Sequence, residues 1–131
     1  MFSLFFVMGA GIMGHLMRGP IMVGYARQMR FPTPSLASWP AGLWLVAGGL
    51  SVALGAWGDV GALMLALFVV VAAAWFHRYW EIPDEQQKMM QMQLFWRNVT
   101  FLGAALILFA IFASLGHDLR FTLTDPLFDL R

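Results

Sequence analysis

Trp75-Phe76-His77-Arg78-Tyr79-Trp80-Glu81 closes an apolar run that begins at Val60 and reaches Ala74 without a charged or amide side chain. A helix that leaves hydrocarbon and meets headgroups ends in this way. Trp and Tyr rings have an apolar body and a polar handle, and they settle at that boundary. Residues 60-80 therefore read as a membrane span, and the rest of the chain is read outward from it.

Upstream, Gly58-Asp59 reads as a tight turn, and Trp39 to Trp57 is a second apolar stretch with a Trp at each end. The two spans form an antiparallel hairpin. Ser38 is placed to cap the earlier helix, with Pro40 in its first turn. Ala47, Ser51 and Gly55 make a small-xxx-small stripe, which in lipid lets helix backbones approach closely. Downstream, Pro83-Asp84-Glu85 reads as a helix start. Gln86, Gln87, Lys88, Gln91 and Gln93 alternate with Met89, Met90 and Met92, and the helix continues as a span over 94-115.

Toward the N-terminus, Met1 to Met17 is apolar except for Ser3 and His15. It is short for a span of about 20 residues, but Arg18 can snorkel to the interface. A signal peptide is disfavoured: no basic residue precedes the run and no small-x-small pattern ends it. Gly19-Pro20 breaks the helix. Ile21, Met22, Tyr25 and Met29 then recur at helical spacing among Arg27, Gln28 and Arg30, as in a short interfacial helix. Phe31-Pro32-Thr33-Pro34-Ser35 forces extended backbone. Residues 116-131 are a polar tail in which Phe121, Leu123, Leu127, Phe128 and Leu130 can rest on the helices or the bilayer. The expectation is one all-α domain: a four-helix transmembrane bundle with spans about 1-17, 39-57, 60-80 and 94-115, and a short interfacial helix after the first.

Composition agrees. Of 131 residues, 60% are hydrophobic and 11% charged, and the mean hydropathy is +0.72. A soluble domain carries about 25% charged residues, so lipid must be part of this chain's solvent. A net charge of +1 gives no footprint for nucleic acid. The absence of cysteine removes thiolate nucleophiles and Cys-ligated iron–sulfur or zinc sites.

Four spans put both termini on one side. The connectors on the other side carry Arg18, Arg27, Arg30, Arg78, Lys88 and Arg97, against Arg120 and Arg131 on the terminal side. The positive-inside rule then places both connectors in the cytoplasm and both termini outside, and the expected location is the cell membrane, multi-pass.

The same topology gathers the polar groups. His15 ends the first span, His77 and Arg78 end the third, and Arg97 and Asn98 begin the fourth. All five fall in one leaflet, where charges are costly unless paired, hydrated or used. Four readings compete. The residues are interfacial anchors, the blandest and favoured one. They hold a quinone headgroup. They hold an anionic lipid headgroup through Arg78 and Arg97. Or His15 and His77 ligate a haem, which is disfavoured because two isolated histidines near helix ends are no spacing signal. No catalytic constellation and no metal-ligand spacing is visible, and the methionines read as packing.

Gly24-Tyr25-Ala26-Arg27, Pro32-Thr33-Pro34, Gly48-Gly49-Leu50 through Gly55, His77, Phe95-Trp96-Arg97-Asn98 and Gly103-Ala104-Ala105-Leu106, taken in order, resemble the DoxX family over nearly the whole chain. The tail from Leu119 to Phe128 is similar as well. The resemblance implies a four-helix membrane bundle and the company of membrane redox complexes, among them a thiosulfate:quinone oxidoreductase. It also implies a basic residue at the end of the first helix and a carboxylate in the second. Here His15 and Leu45 stand in those places. The implied function is a small, non-catalytic membrane subunit or scaffold of a larger, redox-associated complex, with the bilayer and other subunits as partners. The alternative is a quinone-linked oxidoreductase subunit with its headgroup site near His77, quinone being the one cofactor in view. A small transporter is disfavoured, for want of inverted repeats or a mid-membrane ionisable group.

Overall fold

The structure is a computed structural model that describes residues 1–119 and 122–130; Arg120, Phe121 and Arg131 lie outside them. Among the described residues it is all helical, with no strand. Five helices follow in order: α1 Phe2–Leu16, α2 Gly19–Gln28, α3 Trp39–Leu54, α4 Gly58–Glu81 and α5 Glu85–Leu115. Two of them, α4 and α5, are long and apolar enough to cross a membrane, and the count is three if α1 and α2 form one broken span. The expected helices are present, but only these two or three satisfy length and apolarity.

The reasons lie in the helix ends. Gly19-Pro20 bends the chain by 79° between α1 and α2. Ser38 stands at the N-cap of α3, but its Oγ donates to the carbonyl of Ser35 rather than capping the helix. At the other end Gly55 takes φ 64°, a left-handed turn that costs glycine little. α3 is therefore 16 residues, about 24 Å, against a hydrocarbon core of about 30 Å. The expected span 39-57 is shorter by Gly55, Ala56 and Trp57, which make the turn. Gly58 and Asp59, expected to be that turn, instead open α4. Asp84 caps α5 by accepting from the Gln87 backbone N–H at 2.9 Å. The helix then runs 31 residues, about 46 Å, well beyond the bilayer core.

α3 packs between α1 and α4, and α4 packs against α5. The α3–α4 approach is close because Gly61 faces Ser51 and the Gly48 carbonyl; a Cβ there would stand 2.5 Å from Ser51 Oγ. Gly42 and Gly49 do the same toward α1. Of the expected stripe, only Ser51 lies in a helix–helix contact. Ala47 is exposed and Gly55 is the turn residue. The core is Phe6, Leu45, Val52, Ala62, Leu65 and Val69. Leu45, where the resemblance implies a carboxylate, is fully enclosed by these apolar side chains, which offer a carboxylate no donor. Phe2, Phe5 and Phe6 meet Phe101, joining α1 to α5.

Beyond Leu115 the chain folds back over the α3–α4 turn. Leu123 and Thr124 donate backbone N–H groups to the Leu54 and Gly55 carbonyls, and Leu130 donates to Ala113. The Trp57 N–H donates to Thr124 Oγ1 at 2.8 Å. Asp59, fully buried, accepts from the N–H groups of Leu127 and Phe128 at 2.7 and 2.8 Å, both on Oδ2. Its Oδ1 has no partner among the described residues. Phe128 stacks edge-on against Phe109. The tail thus rests on the helices, and one carboxylate fixes it.

Candidate functional site

At the opposite end of the helices α4 loosens. Toward its end it winds as a π-helix over Ala72–Phe76, breaks at His77 and Arg78, and closes with a 3-10 turn, Tyr79–Glu81. A π-turn leaves carbonyls off the regular ladder, and other groups take them. The Tyr25 hydroxyl donates to the Phe76 carbonyl at 2.9 Å, and Trp75 Nε1 donates to the Met29 carbonyl at 3.1 Å. Phe31 packs on both Trp75 and Phe76. These contacts hold α2 and its connector over the end of α4, and α1 is itself wound as a π-helix from Phe5 to Leu16.

Between these elements and α5 lies a cavity of about 540 Å³, within the range of small-molecule sites. Its walls are Phe5, Phe6, Trp44, Phe68, Phe76 and aliphatic side chains. Its polar lining includes His15, His77, Tyr25, Arg97 and Asn98. Four of the five residues singled out from the sequence therefore meet on one space. Arg78 does not. Its Nε donates to the Trp75 carbonyl and its Nη1 to Glu81 Oε1, each at 3.2 Å, so it closes the helix end locally.

The two imidazoles are held alike. His15 Nδ1 lies 2.6 Å from the Ala37 carbonyl oxygen, and its ring meets Phe68 edge-on. His77 Nδ1 lies 2.8 Å from Gln91 Oε1. The guanidinium of Arg97 sits 5.6 Å above the Phe5 ring, a cation–π contact. Asn98 is buried and donates Nδ2 to the Leu94 carbonyl, which leaves its carbonyl oxygen as an acceptor. No acidic residue lines the cavity. Such a site can orient a flat, apolar ring carrying a few polar atoms. Among the described residues no cluster of three or more His, Asp or Glu side chains is placed to hold a metal ion.

Sequence reasoning missed Gln91, Tyr25 and Asp59 as positioning groups. Gln91 had a signal: it stands seven residues before Asn98, two turns away on the same face of α5. Asp59 had one too, as the only acid in the first 80 residues.

The sequence profile of the DoxX family matches residues 1–78, more than half of the chain, and the chain belongs to that family. The match ends just past His77; Arg97 and Asn98, on α5, lie beyond it. No curated protein and no solved structure matches the chain. Family and apolar helices together make this a multi-pass membrane protein in contact with lipid.

Proposed function

We propose that this DoxX-family protein is a small integral subunit of a larger, redox-associated membrane complex, and that its cavity holds a quinone headgroup. The convergence of His15, His77, Arg97 and Asn98 on one aromatic-walled cavity carries the reading. An anchoring role alone accounts for Arg78, which is tied to its own helix end. It does not account for two histidines lining one cavity. The proposal includes four crossings in the cell membrane, with α1 and α3 as the shorter ones and both termini outside, as Arg18, Arg27 and Arg30 in and beside α2 and Arg78, Lys88 and Arg97 on either side of the α4–α5 junction favour.

The subunit part of the proposal draws on α5. Only 17% of its most apolar window is covered by the protein, against 33% for α4, which leaves a long face for lipid or a neighbouring subunit. Two measurements test the reading. Protein purified from its native membrane should carry quinone in near-stoichiometric amount, and His77→Ala should deplete it; an unchanged quinone content would remove the site. Mild-detergent extraction at native abundance should bring down partner subunits, and a protein that runs alone would remove the subunit role.

A further inference from the structure

We infer that the cavity recognises the dihydroxy form of its ligand, a hydroquinone-type ring with two O–H donors, in preference to the dicarbonyl form. This rests on the cavity being a headgroup site and concerns which redox state it prefers.

Donors and acceptors on the lining residues set the preference. A backbone carbonyl only accepts, so the 2.6 Å contact to Ala37 requires the proton of His15 to sit on Nδ1. The contact of His77 with Gln91 Oε1 requires the same of its Nδ1. Above the ordinary imidazole pKa of about 6.5, each ring carries a single N–H. Both Nε2 atoms are then lone-pair acceptors. Neither has a hydrogen-bond partner among the described residues, and neither is a buried orphan. Both histidines line the cavity, and each ring is fixed by a partner outside the ligand, which leaves two acceptors of the same kind on its lining residues.

A phenolic hydroxyl satisfies this lining in full. It donates to Nε2, and its oxygen still accepts from the Arg97 guanidinium. A quinone carbonyl only accepts. It can use Arg97, but at each imidazole it sets oxygen lone pairs against a nitrogen lone pair and leaves that acceptor unmet in an apolar space. No carboxylate lines the cavity to take the hydroxyl proton instead. Two imidazoles also supply only half of a tetrahedral metal set, so a ring diol uses the pair more completely than a divalent ion would.

The test uses the full-length protein in lipid nanodiscs at pH 8 without oxygen, with decylubiquinol and decylubiquinone as probes and tryptophan quenching as the readout. The quinol should bind about tenfold more tightly, the worth of one to two net hydrogen bonds. Gln91→Leu releases the His77 ring to turn its N–H toward the ligand. That variant should cut the preference to about threefold without weakening quinone binding, His15 remaining fixed by backbone. Equal affinities, or a tighter quinone, overturn the inference and leave the headgroup site standing. Saturable binding of neither probe overturns both. Equal weakening of the two forms by Gln91→Leu makes Gln91 merely structural and also overturns the inference.

Discussion

At the α3–α4 turn one buried carboxylate, Asp59, is enclosed by the chain's own tail, with two backbone N–H groups on one oxygen. At the other end of the same helices His15 and His77 are half-buried; each spends one nitrogen on the protein, leaves the other without a hydrogen-bond partner among the described residues, and lines a cavity. Both ends face the same cost, that of a polar group taken out of water. The turn end meets it with backbone and leaves no room. The cavity end meets it halfway and leaves space lined by aromatic rings. A polar group satisfied by backbone reads as architecture; one held by a second protein group and left half-open reads as a site.

The largest expected effect breaks the turn end. Asp59→Ala removes the acceptor of two short hydrogen bonds and strands the N–H groups of Leu127 and Phe128. The expected loss is about 3 kcal/mol, seen as a lower melting temperature in nanodiscs and as protease cleavage within residues 122–130. Asp59→Asn keeps one acceptor oxygen and should lose about half as much. If Asp59→Ala melts like the parent, the tail is not fixed by this carboxylate and the contrast between the ends fails.

That contrast also shows what the sequence carried. The helix starts were legible because residue types announce them: Gly19-Pro20 as a break, Pro83-Asp84-Glu85 as a cap. The meeting of His15, His77, Arg97 and Asn98 was legible because alternating helices bring their ends to the same side. The Asp59 contact was not, since its partners are backbone N–H groups 68 and 69 residues away, and a backbone donor has no residue identity to read. The end of α3 was lost for a similar reason. Gly55 sits at one end of a stripe of small residues, and nothing in its identity separates a packing glycine from one that turns at φ 64°.

A middle-sized pair of effects sharpens the cavity end. His77→Ala loses one hydrogen bond of a half-buried ring and should cost only about 1 kcal/mol, roughly a third of the Asp59 effect. Ala41→Leu, on the cavity wall, should fill empty space and raise stability by about 1 kcal/mol while weakening quinone-analogue binding at least tenfold, or about 1.4 kcal/mol. A gain in stability with loss of ligand is the signature of a cavity kept open. A loss of both would make the space part of the packing.

Backbone strain offers a further comparison, because each end holds one bulky residue in the left-handed region. Arg30, at φ 55°, follows α2; Trp57, at φ 49°, precedes α4. Arg30 ends its helix where glycine is usual, with the Phe31 N–H reaching back to the Ala26 carbonyl. Arg30→Gly should therefore gain about 1 kcal/mol. Trp57→Gly relieves the same strain, but it gives up a ring that is more than half exposed and sits where an interfacial Trp anchors. Its net change should be smaller than that of Arg30→Gly. Melting temperatures of the two variants in one lipid decide this.

The smallest effect is expected at Arg78, and its smallness is informative. In the sequence Arg78 adjoins His77 and stands with the other four candidates at one leaflet. In the structure its guanidinium turns to the Trp75 carbonyl and to Glu81, a pair three residues apart on a solvated helix end. Exposed pairs of this kind contribute up to about 1 kcal/mol and often nothing measurable. Arg78→Gln retains a donor for the Trp75 carbonyl. It should shift stability by less than about 0.5 kcal/mol and leave quinol and quinone affinities unchanged, whereas Arg97→Gln, one helix away on the cavity wall, should weaken both. If Arg78→Gln weakens ligand as much as Arg97→Gln, the site is a diffuse basic surface at the membrane boundary, and the distinction between a half-open cavity and a closed turn no longer describes the molecule.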